Sequence, residues 1–134
     1  FQFTCDYITE RSDYTLKTGL AFKPLIQARI GEMYTYLNNA RLNVHEAAKK
    51  VTYSPQENTT HQAIYAAKYL LGENMPKLAT MALRTCGGSC ISRKFSLERL
   101  LRDSMCGGLM PAVSDMCQIF IGKSSLKIKQ INIW

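Results

Sequence analysis

Residues 84–108 read RTCGGSCISRKFSLERLLRDSMCGG, a segment in which two glycine pairs flank a run of apolar and charged residues. Glycine destabilises a helix interior and readily adopts positive φ, so Gly87-Gly88 and Gly107-Gly108 are both expected to end helices. Between them, residues 95–102 place apolar side chains at helical spacing. The segment therefore predicts a helix end, a glycine turn, a short amphipathic helix and a second turn.

Helical periodicity also dominates the chain before this segment. A first long helix is expected to begin near Pro24, because a proline in the first turn lacks only an N–H that would have no helical partner. The helix should end around Tyr53. One apolar stripe runs along it, with a step of three or four residues between members: Ile26, Ile30, Met33, Leu37, Ala40, Val44, Ala47 and Val51.

A second long helix is expected to follow directly. Residues 54–57 read SPQE, a capping-box sequence in which Ser54 would accept a hydrogen bond from the N–H of Glu57. Pro76 should kink this helix, because it removes one helical hydrogen bond. Apolar residues again recur at helical spacing: Ile64, Ala67, Leu71, Met75, Leu78 and Ala82.

The two ends complete the predicted fold. Residues 1–17 are compatible with a helix, and residues 112–123 predict a last helix that buries Val113, Met116, Ile119 and Phe120. We expect an all-α fold: an up-and-down four-helix bundle over residues 1–126, with a short extra helix near the C-terminus. Residues 127–134 are expected to form a separate tail, either a strand or a tag-like extension.

Composition is that of a single globular domain. The chain has 134 residues, of which 46% are hydrophobic and 20% charged. It lacks the uncharged apolar run that a membrane span requires, and it shows no secretory signal. Five cysteines, an odd number, lie among helix-forming residues. We therefore expect a reducing, cytoplasmic location.

The net charge of +7 leaves three interpretations of the basic surface. It could be a solvated surface, a site for the phosphates of a nucleotide or CoA ligand, or a nucleic-acid surface. The basic residues are dispersed and no nucleic-acid recognition motif accompanies them, so we expect no nucleic-acid partner.

Most other chemistry is disfavoured by the residues present. Neither His45 nor His61 has a glutamate three residues before it, which excludes a di-iron bundle of the Glu-x-x-His type. Cys86 and Cys90 have no complementary Cys or His pair for zinc. They are expected to be buried, unreactive thiols, with redox sensing as the alternative.

The segment quoted first resembles the C-terminal domain of the acyl-CoA dehydrogenase family, in which a Gly-Gly turn precedes a "(Y/F)-x-L-E-R-L-x-R-D" helix. Residues 10–14 read ERSDY and are similar to the family's "E-R-x-x-F". Gln27, Met33, Ala40 and Arg41 also match its second helix. The resemblance covers roughly residues 4–126.

The resemblance implies FAD as the cofactor, held partly by this domain of a neighbouring subunit. By position, Arg11 would contact the pyrophosphate, Tyr14 would lie against the nucleotide, and Arg84 would replace a flavin-contacting glutamine. Gly87 and Gly88 would allow the backbone to approach the ligand. Arg102 and Asp103 are expected to form an internal or intersubunit ion pair.

One departure from the family concerns the catalytic base. Where many members have "Y-E-G-T", residues 110–113 read MPAV, so Pro111 occupies the position of the carboxylate. No catalytic residue is therefore expected within this chain, and the chain alone is expected to be inactive.

The resemblance implies the FAD-contacting and oligomerisation domain of an oxidoreductase that acts on an acyl-CoA thioester, as a homodimer or homotetramer. The alternative is a free-standing helical assembly module without enzymatic activity.

Overall fold

A computed structural model of the chain describes residues 1–12 and 19–128. In these residues the chain forms five α-helices: α1 (Gln2–Glu10), α2 (Pro24–Tyr53), α3 (Asn58–Cys86), α4 (Ser96–Met105) and α5 (Ser114–Ser125). Two 3-10 helices, Leu20–Phe22 and Gly88–Ile91, lie in the connections. The described residues contain no strand beyond an isolated bridge between Ser12 and Gly19. The all-α prediction is confirmed.

Helix α3 is the centre of the bundle and contacts each of the other α-helices. The buried core lies at its C-terminal half and joins α2, α4 and the Gly88–Ile91 helix. Its buried members are Met33, Leu78, Ala82, Cys86, Cys90 and Leu97. No helix within residues 1–12 and 19–128 has the length and apolar content needed to cross a membrane.

Helix α2 begins at Pro24 and ends at Tyr53, as predicted. Its stripe is buried at Met33, Ala40 and Ala47, whereas Val44 and Val51 on the same stripe are exposed. The ring of Phe1, just before α1, lies 6.1 Å from that of Tyr34. Phe1 therefore lies against the first half of α2, whereas the last turns of the stripe are buried only at Ala47.

The predicted capping box is wrong. Helix α3 begins at Asn58, and Glu57 rather than Ser54 precedes its first residue. The N–H of Ser54 still bonds to the carbonyl of Lys50, at 2.8 Å, and thus closes the end of α2. The carbonyl of Ser54 accepts from the buried hydroxyl of Thr60 at 2.6 Å. A buried hydroxyl requires such a partner, so the turn is shaped by this contact.

Helix α3 continues through Pro76 and ends at Cys86. Gly87 then has φ +89°, a conformation that other residues rarely adopt. Its N–H bonds to the carbonyl of Leu83 at 2.9 Å. The prediction that the glycine pair ends this helix is confirmed.

Helix α5 differs from its prediction. It begins at Ser114 rather than residue 112, and its buried residue is Cys117. Ile119, expected in the core, is 53% exposed. Phe120 does pack inward, with its ring 4.6 Å from that of Tyr65. Of the predicted tail, residues 127–134, only residues 127 and 128 are among the described residues.

Candidate functional site

The Gly87-Gly88 turn after α3 has open space beside its backbone. A Cβ atom placed on Gly87 or Gly88 would meet nothing within 4 Å. Among the described residues, the N–H groups of Gly88 and Ser89 have no backbone acceptor, whereas that of Cys90 bonds to the carbonyl of Gly87. Two backbone donors are therefore accessible to a ligand at this turn.

Arg11 lies next to the turn. It follows the last residue of α1, and its carbonyl accepts a hydrogen bond from the N–H of Leu20 at 3.0 Å. Its Nη1 donates to the hydroxyl oxygens of Tyr7 and, at 3.3 Å, Ser89. The guanidinium carbon also lies 5.2 Å from the ring centroid of Tyr7. The fold thus brings Arg11 to the residue that follows Gly88.

Three aromatic rings support this corner. The ring of Tyr7 lies 5.7 Å from that of Phe95, nearly perpendicular to it, and 5.9 Å from that of Phe3. Phe3 and Phe95 are 6.0 Å apart. Since Phe95 immediately precedes α4, these rings join α1 to the segment after the turn. Their edge-to-face and stacked arrangements are of the kind that stabilises aromatic clusters.

The remaining predicted residues lie in different settings. Arg84 is in the last turn of α3, with an exposed side chain, and its carbonyl accepts from Nη1 of Arg29 at 3.4 Å. Its side chain forms no hydrogen bond or ion pair with the described residues. Tyr14 lies outside the described residues. Sequence reasoning did not identify Tyr7 or Ser89.

Two cysteines lie beneath the turn. Cys86 and Cys90 are both buried, and burial, followed by the neighbouring Cys90 thiol, raises the pKa of Cys86 from 9.0 to about 11. Such a thiol stays protonated near neutral pH and is a poor nucleophile. Across the described part of the chain, no three His, Cys, Asp or Glu side chains are grouped as a metal site would require.

The position predicted for the family carboxylate lies in the loop between α4 and α5. Pro111 is exposed there. Beside it is an open groove of about 680 Å³, lined by apolar residues of the loop and by charged residues of α3 and α5. Its charged lining residues are Glu73, Lys77 and Asp115. Pro111 does not line the groove, and neither Glu73 nor Lys77 was singled out from the sequence.

Arg102 forms an ion pair within the chain, and its partner is Glu98. Nε of Arg102 lies 2.9 Å from Oε2 of Glu98, one helical turn earlier, and Nη2 donates to Oε1 at 3.3 Å. Asp103 takes no part in it among the described contacts. The Arg102 side chain is 69% exposed, so this pair contributes little to stability.

The family model for the acyl-CoA dehydrogenase C-terminal domain matches residues 1–120. The 3-(aryl)acrylate reductase of Clostridium sporogenes is 29% identical to this chain over 102 residues, which is 76% of this chain and 26% of that protein. The chain thus spans about a quarter of the curated relative it matches.

Two solved structures share the fold. The FAD complex of PigA has a TM-score of 0.83 at 20% identity, and covers 96% of this chain with 32% of its own. The glutaryl-CoA complex of glutaryl-coenzyme A dehydrogenase has a TM-score of 0.80 at 23% identity, with the same coverages. The match to the family model over residues 1–120 means that this chain belongs to the acyl-CoA dehydrogenase family and corresponds to its C-terminal domain.

Proposed function

We propose that the chain is the FAD-contacting and oligomerisation domain of an acyl-CoA dehydrogenase-like oxidoreductase that acts in the cytoplasm. The single observation that carries the proposal is the juxtaposition of Arg11 with the open Gly87-Gly88 turn. The Arg11 guanidinium and the two unpaired backbone N–H groups of this turn can all donate hydrogen bonds to the oxygens of a pyrophosphate.

The described residues fit the FAD pyrophosphate in two respects. The turn has no side chain that would block the approach of a phosphate, because the space around Gly87 and Gly88 is open. Arg11 uses only Nη1 for its described contacts, which leaves Nε and Nη2 as donors. Arg84, exposed in the last turn before Gly87, would lie near the flavin side of the same ligand. Bound FAD would supply the acceptor for the hydride removed from the substrate.

The substrate would be an acyl-CoA-type thioester, as in the family. Pro111 has no titratable group, so this chain does not supply the usual carboxylate at that position. We propose that the base lies outside residues 1–134, in another part of the complete enzyme. The relative lengths support this proposal, because the chain covers 26% of the curated reductase.

Assembly would use the outer face of α5. Ile119 lies in α5, and Leu126 is the residue that directly follows the helix. Both are exposed, at 53% and 72%. Phe120, in contrast, packs against Tyr65 within the chain. We propose that this apolar strip associates with a second copy, as a dimer or tetramer.

Flavin analysis of the complete protein tests the proposal. It should contain about one FAD per subunit, and anaerobic addition of a saturated acyl-CoA should reduce it. Omission of the thioester, with CoA added alone, is the control. A complete protein that lacks flavin after purification and does not bind added FAD would support the alternative, a helical assembly module without activity.

A further inference from the structure

We propose that Tyr7 and Ser89 are positioning residues for Arg11, which fix its guanidinium so that its remaining donors meet the ligand phosphates. This inference rests on the proposed FAD-contacting function. It concerns two residues to which the family resemblance assigned no role.

The three polar groups form a closed arrangement. Nη1 of Arg11 donates both to the hydroxyl oxygen of Tyr7 and to that of Ser89. The two hydroxyl groups are themselves hydrogen-bonded, with their oxygens 3.1 Å apart. Since Nη1 carries two N–H bonds, these two acceptors satisfy that nitrogen completely. One of these two hydroxyl groups donates its hydrogen to the oxygen of the other.

The orientation of the guanidinium follows from its planarity. With Nη1 engaged by Tyr7 and Ser89, Nε and Nη2 remain on the other side of the same rigid plane. They provide the two parallel donors that bind oxygens of one phosphate in bidentate fashion. Ser89 also follows Gly88 directly, so its hydroxyl ties Arg11 to the turn whose N–H groups are open.

Tyr7 can hold Arg11 because Tyr7 is itself fixed. Its ring packs against Phe95 and Phe3, and the guanidinium carbon lies 5.2 Å from its centroid. An unrestrained arginine loses rotamer freedom when it binds a ligand. An arginine held beforehand loses less, so the restraint increases affinity without adding a ligand contact.

The expected effects are modest and specific. Removing one hydroxyl, by Tyr7→Phe or by Ser89→Ala, should weaken FAD binding by about three- to tenfold, the range of a single hydrogen bond. Tyr7→Phe keeps the ring and its contacts with Phe3 and Phe95. The midpoint of urea unfolding should therefore change little.

A double-mutant cycle on the complete apoprotein tests the inference, with FAD affinity measured by fluorescence titration. Tyr7→Phe should weaken FAD binding in the wild-type background and have no further effect in the Arg11→Ala background, because Tyr7 acts only through Arg11. Equal effects of Tyr7→Phe in both backgrounds, or no effect in either, would overturn it.

Tyr65→Phe is the matched control, since Tyr65 is on the α5 side of α3, about 30 Å along the helix from the glycine turn. It should leave FAD affinity unchanged.

If wild-type protein binds no FAD, the proposed function fails and this inference fails with it. If Arg11→Ala weakens binding but Tyr7→Phe and Ser89→Ala do not, the inference alone fails.

Discussion

Gly72 of α3 lies directly against Gly108 of the loop between α4 and α5. A Cβ atom on Gly72 would be 3.0 Å from the Cα and 3.1 Å from the N of Gly108. Nζ of Lys68 donates to the carbonyl of Gly107 at 2.5 Å, and the N–H of Ser114 donates to the carbonyl of Gly108 at 3.0 Å. The loop that carries Pro111 thus lies against the backbone of α3 at Gly72 and is hydrogen-bonded to the side chain of Lys68.

We expect Gly72→Ala to destabilise the chain by about 1–3 kcal/mol, because the added methyl group would lie 3.0–3.2 Å from backbone atoms of Gly107 and Gly108, which would have to shift. Urea unfolding followed by circular dichroism gives the change in the free energy of unfolding.

Gly31→Ala is the matched control. Gly31 is also inside a long helix, but nothing lies within 4 Å of its added Cβ. Alanine is favoured over glycine in a helix, so this variant should be stabilised by up to about 1 kcal/mol. Similar changes in both variants would show that Gly72 and Gly108 are not in close contact.

The buried Cys86 thiol predicts a loss of stability at alkaline pH. Its folded-state pKa of about 11 exceeds the ordinary value of 9.0, so the unfolded chain releases this proton first as pH rises. The contribution is complete below about pH 9 and is lost as the pH rises towards 11.

The free energy of unfolding, measured at about pH 8 and about pH 11, tests this prediction against Cys86→Ala. The variant should show a smaller loss between the two pH values. Since tyrosines and lysines also titrate in this range, only the difference between the two proteins is informative. An equal loss in both would contradict the raised pKa.

The sequence predicted those features that depend on local backbone geometry. Pro24 and Gly87 restrict or permit particular φ angles, so the start of α2 and the end of α3 could be identified without the fold. The start of α3 could not, because the N–H of Glu57 bonds to the carbonyl of Ser54, which also accepts from the buried Thr60 hydroxyl, and no side-chain capping box forms.

The sequence pattern also did not predict the contacts between distant parts of the chain. Periodicity identified α5 as amphipathic but placed Ile119 in the core, whereas α3 covers the face that carries Cys117. A motif predicted Arg11 as a site residue. Nothing in the pattern indicated Ser89, because a serine in an exposed turn has no distinctive spacing.

We expect Ile119→Glu to weaken self-association, because it places a charge in the proposed apolar interface of α5. Sedimentation should show smaller species than wild type at tens of micromolar, on the order of ordinary interface affinities. Leu42→Glu, at an exposed apolar residue of α2, should leave the assembly unchanged. A wild-type monomer would contradict the proposed assembly.

In the complete enzyme, Pro111→Ala should leave the dehydrogenation rate within about tenfold, since loss of a general base costs about 10²–10⁴-fold. Stopped-flow reduction with an acyl-CoA gives this rate. Asp115→Asn serves as the comparison because Asp115 lies on the adjacent groove. If Asp115→Asn alone abolished the reaction, the base would be within this chain and our placement of it would be wrong.

The central claim is that this domain contacts FAD through Arg11 at the glycine turn, and the FAD affinity of the Arg11→Ala apoprotein tests it most directly. Loss of a charge-assisted hydrogen bond, about 1.5–3 kcal/mol, predicts roughly ten- to hundredfold weaker binding. Arg41→Ala, at an exposed arginine of α2, controls for the change in net charge. Weaker binding in Arg11→Ala alone is the predicted result, and FAD affinity equal to wild type in Arg11→Ala would contradict the account.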